Sequence, residues 1–174
     1  VPDPRPTFRF LTDAQLLAQC RTDHYRGSGP GGQKRNKTSN AVRLHHDPTG
    51  IIVTGTESRS LKENHLNAVR RLRVKLAADV REPVDLPRFD PPDWWRELRR
   101  GDRLELSHRH PHYAAAGGLV LDLLTAAAGN PAAVAVNLGV STTTVVKLIE
   151  SDPHWWATAN EIRRRFGLGG LVRR

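Results

Sequence analysis

The stretch Gly27-Ser28-Gly29-Pro30-Gly31-Gly32-Gln33-Lys34-Arg35-Asn36-Lys37-Thr38 decides how the rest of the chain is read. Its glycines and proline exclude a regular helix or strand. It also fails as a phosphate loop, because the position where a lysine would hold a nucleotide phosphate is Gln33. Glycine removes side-chain bulk and permits positive φ, so Gly31 and Gly32 let bare backbone approach another surface closely. Gln33 then brings an amide that both donates and accepts hydrogen bonds. From Ser28 to Arg43 the charged residues are Lys34, Arg35, Lys37 and Arg43, with no acid among them, a set suited to anchoring the loop's base on phosphates. Taken alone, the stretch also fits a surface loop with solvated charges.

Outward from the loop, the local signals are regular. Thr12-Asp13-Ala14-Gln15 matches a capping box that opens a short helix, and Cys20 to Arg26 reads as a strand. Ala41 to His45 alternates, Ile51 to Thr54 is β-branched, and Pro48 and Gly50 lie between them where a tight turn wants them, which predicts a β-hairpin. Ser60 with Glu63 forms a second capping box. Beyond it Leu66, Val69, Leu72, Leu76 and Val80 recur at helical spacing, with Lys62, Arg70 and Arg73 on the outer side. A long amphipathic helix lying on a small sheet is expected.

The chain has 174 residues, a formal net charge of +9 and a pI near 10.7, a balance whose commonest physical use is to hold a polyanion. The basic residues are mostly arginine, whose planar fork suits phosphate and stacks on bases, although an arginine-rich genome would give the same bias. Residues 1–85 are net +6 and residues 86–174 net +3, so the first part is the more basic. A single cysteine, Cys20, rules out an internal disulfide or a Cys-rich zinc site and fits a reducing interior. The most apolar stretch, residues 113–129, carries Asp122 and is short for a bilayer span. Val1 and the absence of Met fit removal of a start residue or a targeting segment, and no signal-peptide pattern is present.

Prolines 83, 87, 91 and 92 place a domain boundary after residue 85, giving domains over 1–85 and 113–174 joined by a proline-rich linker over 86–112. Past the linker the pattern is all-helical: Tyr113 to about Ala128, Pro131 to Leu138, Ser141 to Glu150, and Pro153 to Phe166, with Gly167 as a stop. Ala135, Gly139, Val140, Ser141, Thr144, Val145 and Leu148 fit a helix-turn-helix. Its second helix offers Thr142, Thr143 and Thr144 but only Lys147 as a cation, so a packing or docking role is favoured over DNA binding. His108, His110 and His112 alternate, and His45 adjoins His46. With no carboxylate or thiolate cluster beside them, a solvated or RNA-facing segment is favoured over a metal site, and no cofactor is expected. Trp94, Trp95, Trp155 and Trp156 read as core anchors more than as base-stacking platforms.

Ser28-x-Gly-Pro-Gly-Gly-Gln33, Asn36-Lys37-Thr38, Ala41-Val42-Arg43-Leu44-x-His46, Pro48-Thr49-Gly50-Ile51, and Arg59-Ser60 with Asn64 resemble, in one register over about residues 20–78, the Gly-Gly-Gln domain of class I peptide-chain release factors and their short ribosome-rescue relatives. The resemblance implies an α+β fold, a mixed sheet with a packed long helix, followed here by a small all-α region. It implies a peptidyl-tRNA hydrolase whose loop enters the peptidyl-transferase centre. Gly31, Gly32 and Gln33 would be catalytic, and Ser28, Lys34, Arg35, Asn36, Lys37, Thr38, Arg43 and Arg59 would contact RNA. By analogy the Gln33 N–H would stabilise the oxyanion while its side chain places or selects a water. No Ser/His/Asp or Cys/His set is evident around the loop, in keeping with catalysis by positioning.

The implied partners are the ribosome with its large-subunit rRNA, peptidyl-tRNA and a glutamine methyltransferase acting on Gln33. An RNA-binding helper is also implied, since Lys37-Thr38-Ser39-Asn40 resembles the motif of relatives that act on split large subunits. The implied location is the bacterial cytoplasm, or an organellar matrix in a eukaryote. Arg35 and Leu61 depart from the family pattern, which has an aliphatic residue and a glutamine there. Neither Pro-x-Thr nor Ser-Pro-Phe occurs in the sequence, so rescue is favoured over stop-codon reading. Rescue relatives usually end in a flexible basic tail. Here Arg163-Arg164-Arg165 lies within a helical pattern, and only Arg173 and Arg174 follow.

Overall fold

The computed structural model describes residues 8–26 and 40–173, which divide into two compact units between Leu76 and Ala77. In the first unit a 3-10 turn over Phe8–Phe10 leads into helix α1, Asp13–Leu17. The expected capping box forms in both directions: the Gln15 N–H donates to Thr12 Oγ1 at 3.2 Å and the Thr12 N–H to Gln15 Oε1 at 2.9 Å. Strands β1 (Cys20–Tyr25), β2 (Ala41–His46) and β3 (Ile51–Gly55) follow, then the long helix α2 (Leu61–Asp79).

The strands lie in the order β1-β2-β3, and both pairs are antiparallel, so the described sheet is antiparallel and not mixed. Between β2 and β3 a tight connection explains this: the predicted hairpin closes through the Gly50 N–H to the His46 carbonyl at 2.8 Å, with Gly50 at φ 70°. Alternation puts Val42, Leu44 and His46 of β2, with Ile51 and Val53 of β3, on the buried face. These residues form the core of the unit with Leu11, Leu16, Ala68, Val69 and Leu72.

Helix α2 departs from the expected stripe at its ends. Leu66 is 39% exposed, Asn64 and Ala68 turn inward, and Val80 lies past the helix. A stripe of 64, 68, 69, 72 and 76 is the one that keeps the 3.6-residue period with the buried face, and it rotates Leu66 away. Arg73 is not solvated either: it donates to the Leu11 carbonyl at 2.8 Å and pairs with Asp13 at 2.5 Å, tying α2 to the segment that opens α1.

His46 is fully buried. Its Nε2–H donates to Gln19 Oε1 at 3.1 Å, its Nδ1 accepts the Thr49 hydroxyl at 2.7 Å, and Phe8 packs edge-on at 5.0 Å. Burial pulls its pKa below the ordinary 6.5, against a smaller upward pull from Asp47. The unfolded chain therefore binds this proton at a pH where the native fold does not, so stability is full above pH 6.5 and declines as pH falls below it. Urea unfolding between pH 8 and pH 5 should show a steeper loss for wild type than for His46→Asn, whereas parallel curves would contradict the assignment.

The second unit takes in the stretch 86–112. It is not an open linker: it holds a 3-10 turn (Leu86–Arg88), helix α3 (Asp93–Leu98) and a two-stranded ribbon, β4 (Arg99–Arg100) and β5 (Arg103–Leu104). Proline composition hid α3, yet Pro92 stands at its N-cap, where proline costs no helical hydrogen bond. Trp95 is 1% exposed and its indole N–H donates to the Leu138 carbonyl at 3.0 Å.

Four helices follow at the predicted places: α4 (Tyr113–Ala126), α5 (Pro131–Leu138), α6 (Thr142–Glu150) and α7 (Pro153–Arg165). Asn130, Ser141 and Asp152 cap the last three through their side chains. Helices α5 and α6 meet at 108° across Gly139, which is left-handed at φ 65°, so the helix-turn-helix geometry is present. The turn of the ribbon fastens to the start of α6, where the Ser141 N–H and the Thr144 hydroxyl both donate to the Asp102 carbonyl, at 2.8 and 3.0 Å. Trp155 is buried against Tyr113 at 4.6 Å, while Trp94 stacks on His112 and Trp156 lies under Arg173. Of the four tryptophans, then, Trp95 and Trp155 are the core anchors.

Asp122 is 1% exposed inside α4; it pairs with Arg81 at 3.0 Å and accepts the Glu82 N–H at 3.0 Å. The acid that interrupts the apolar stretch thus holds the chain entering this unit. Removing one partner of a buried pair leaves the other uncompensated, so Asp122→Ala should lower stability by about 3 kcal/mol, read from chemical denaturation of the full chain. A change under about 1 kcal/mol would show the pair to be dispensable.

Candidate functional site

Gly31, Gly32, Gln33, Ser28, Lys34, Arg35, Asn36, Lys37 and Thr38 lie outside the described residues. Arg43 and Arg59, and the supports on which the loop stands, lie within them. The loop joins two directly paired strand ends, since Tyr25 of β1 faces Ala41 of β2. Its incoming side is Tyr25, over whose ring the Arg43 guanidinium sits at 4.9 Å from the centroid. Arg43 points from the outer face of the sheet and is exposed. Asp23, its pairing partner across the strands, is engaged with His45 at 3.0 Å.

The outgoing side is Asn40, which is held from two directions. Its amide Nδ2–H donates to the Arg59 carbonyl at 2.8 Å, and its own carbonyl accepts from Asn64 Nδ2 at 2.7 Å. Asn64, 1% exposed, uses its whole side chain for such bonds. Nδ2 also donates to the Ser58 carbonyl at 2.8 Å, and Oδ1 accepts the Ser58 N–H at 2.8 Å. One amide in the first turn of α2 therefore fixes the loop's outgoing root and the turn carrying Arg59. Arg59 is exposed, so its guanidinium faces solvent while its backbone is clamped.

Neighbouring contacts brace the same turn. The Ser60 N–H donates to Ser58 Oγ at 3.0 Å and the Glu63 N–H to Ser60 Oγ at 3.3 Å, while the Ser58 hydroxyl bonds the Glu63 carboxylate. The capping box expected of Ser60 and Glu63 is thus formed in one direction only, because Glu63 takes the Ser58 hydroxyl in place of the Ser60 N–H. Arg71 ties the turn to the sheet, pairing with Glu57 at 2.7 Å and donating to the Thr54 carbonyl at 2.6 Å. Leu61, at the start of α2 where the family pattern has glutamine, is 41% exposed.

Other reactive side chains near the sheet are occupied. The Cys20 thiol donates to the Leu16 carbonyl at 3.3 Å, and burial, with Asp47, pushes its pKa up, which disfavours the nucleophilic thiolate. His46 is a core residue. In the second unit His108 packs on Tyr113 and His112 stacks on Trp94 at 4.9 Å, with its pKa lowered by burial and by His110. Among the described residues no group of His, Cys, Asp or Glu has the geometry to hold a metal ion.

Residues 17–86 match the family model of the RF-1 domain, and this part of the chain is similar to class I peptide-chain release factors. The matched stretch contains the Gly-Gly-Gln loop, Asn40, Arg43, Arg59 and Asn64. Among similar proteins, peptide chain release factor 2 of Mycolicibacterium gilvum (strain PYR-GCK) is 40% identical over 119 residues, 66% of this chain and 29% of that protein. Peptide chain release factor 2 of Mycobacterium avium (strain 104) and that of Rhodococcus erythropolis (strain PR4 / NBRC 100887) are each 39% identical over 119 residues, 66% of this chain and 30% of theirs. The chain thus spans less than a third of the length of these curated relatives. No single helix among the described residues is long and apolar enough to cross a membrane.

Two features of the site carry little sequence signal. Gly55 ends β3 where α2 comes closest: a Cβ there would sit 2.0 Å from the Asn64 backbone oxygen. The stacking of Arg43 on Tyr25 depends on the β1-β2 register, which the length of sequence between the two strands conceals. Gly55→Ala should force β3 and α2 apart and lower stability by about 1–3 kcal/mol. An unshifted thermal midpoint would show that the contact yields freely.

Proposed function

We propose that this chain is a ribosome-dependent peptidyl-tRNA hydrolase that releases nascent peptides independently of the codon and so rescues stalled ribosomes. The single observation that carries this reading is the Gly31-Gly32-Gln33 tripeptide inside an RF-1 domain match. The geometry of the loop's supports fits it: both strand ends and the Asn40 root are fixed, and Arg43 and Arg59 are exposed for phosphate contact, a role in which Lys34, Arg35 and Lys37 would join them. Ser28, Asn36 and Thr38 complete the RNA-facing set.

In the proposed reaction a water attacks the ester carbonyl that joins the peptide to the tRNA terminal ribose. The carbonyl oxygen takes up negative charge, and the backbone N–H of Gln33 donates to it. Gln33's side chain orients or selects the water, while Gly31 and Gly32 allow the backbone to come close. Collapse of the tetrahedral intermediate breaks the ester bond, returns a proton to the ribose oxygen and frees the peptide acid. Ribosomal RNA and the tRNA terminal hydroxyl complete the site, so the protein by itself is nearly inert. Gln33 is the residue a glutamine methyltransferase would modify, and an RNA-binding helper would direct the protein to split large subunits. A bacterial cytoplasm or an organellar matrix would house the reaction.

The helix-turn-helix of α5 and α6 supports a second reading, a nucleic-acid-binding regulator. Its exposed face carries Thr142, Thr143 and Lys147, a weak phosphate anchor.

Release should be measured from ribosomes holding peptidyl-tRNA over truncated mRNA, a sense codon or a stop codon, and from split large subunits. Wild type should release peptide without a stop codon, and Gln33→Ala should slow release by at least about 100-fold. Binding without release in all four complexes would contradict the hydrolase. Duplex affinity that persists in Gln33→Ala, with no ribosome dependence, would favour the regulator.

A further inference from the structure

We infer that Asn64 is a positioning residue for peptide release, acting through the Asn40 root to set where the Gly-Gly-Gln loop leaves the sheet. The inference rests on the hydrolase reading and deepens it. Asn64 stands in the first turn of α2, remote in sequence from the loop, and its side chain bonds only backbone: the carbonyl of Asn40, and both the carbonyl and the N–H of Ser58. Asn40 extends the clamp by donating to the Arg59 carbonyl at 2.8 Å. The loop's exit and the turn presenting Arg59 are thereby held to one rigid helix.

The chemistry of the clamp singles out asparagine. Two acceptors and one donor face the side chain, and a planar amide of this length offers two N–H groups and one oxygen to match them. Aspartate has nearly the same shape but sets an anionic oxygen against the Asn40 and Ser58 carbonyls. Space to relax is small, because Gly55 abuts the Asn64 backbone so closely that a Cβ has no room. A loop that works by placing a backbone N–H and a water against a carbonyl depends on its root, since a displacement of about 1 Å at the reacting group can cost on the order of 100-fold in rate.

The test uses the full chain in single-turnover release from ribosomes with truncated mRNA, titrating wild type, Asn64→Asp and Asn40→Ala at a temperature where melting curves show each folded. A positioning role lowers the rate at saturating protein by about 10- to 100-fold in both variants. It leaves the concentration for half-saturation within about threefold of wild type. Asn40→Ala breaks the bond that carries the Asn64 clamp on to the Arg59 carbonyl and leaves the buried amide in place, so it decides the matter if Asn64→Asp does not fold. An unchanged saturated rate in a folded variant overturns the inference. So does a loss confined to half-saturation, which would make the root a binding element. Absence of Gln33-dependent release in wild type would instead bring down the hydrolase reading, whereas Gln33-dependent release with unaltered variants brings down this inference alone.

Discussion

The first unit depends on a constraint that a buried backbone imposes: polar groups withdrawn from water must find partners. Two irregular stretches of backbone meet at one spot, Asn40 ahead of β2 and residues 56–60 between β3 and α2. Irregular backbone leaves N–H and C=O groups without ladder partners, and each one buried unsatisfied costs about 1–3 kcal/mol. The Asn64 amide, with Asn40's own, satisfies them together. The result is a glycine-rich stretch set on a base with little freedom. In the proposed reaction that division of labour is what a positioning catalyst needs.

Much of this was legible in the sequence because it rests on local rules. The capping box at Thr12, the hairpin turned at Gly50, and α5, α6 and α7 with their caps all follow from residue chemistry within a few positions. What escaped depends on partners far apart in the chain. Arg73 has the charge of a solvated helix face, yet its partners are about sixty residues away. Leu66 fits the apolar period, but the packing angle of α2 favours Asn64 and Ala68. The proline count over 86–112 suggested an open connection; Trp95, buried under the carbonyl of Leu138, shows why the stretch folds into the helical unit instead.

The candidate site divides along the same line. Its proposed chemistry, Gly31, Gly32 and Gln33 followed by a run of cations, rests on the family resemblance that those residues carry. Its mechanics do not. Asn64 stood in the sequence as one conspicuous residue in a pattern, without a role, and Gly55 as an ordinary strand end. Their importance comes from the close approach of β3 and α2. The second unit shows the converse: the helix-turn-helix geometry was predicted and forms, but geometry alone assigns it no partner, and its exposed cations are few.

The most direct measurement of the central claim is a structure of the protein on the large ribosomal subunit with a non-hydrolysable peptidyl-tRNA analogue in place. The account predicts Gln33 beside the ester-mimicking carbonyl, its backbone N–H directed at the oxygen, with the Asn64 bonds to Asn40 and Ser58 intact below. A complex in which the first unit binds elsewhere on the subunit, with Gln33 far from the tRNA terminus, would contradict it.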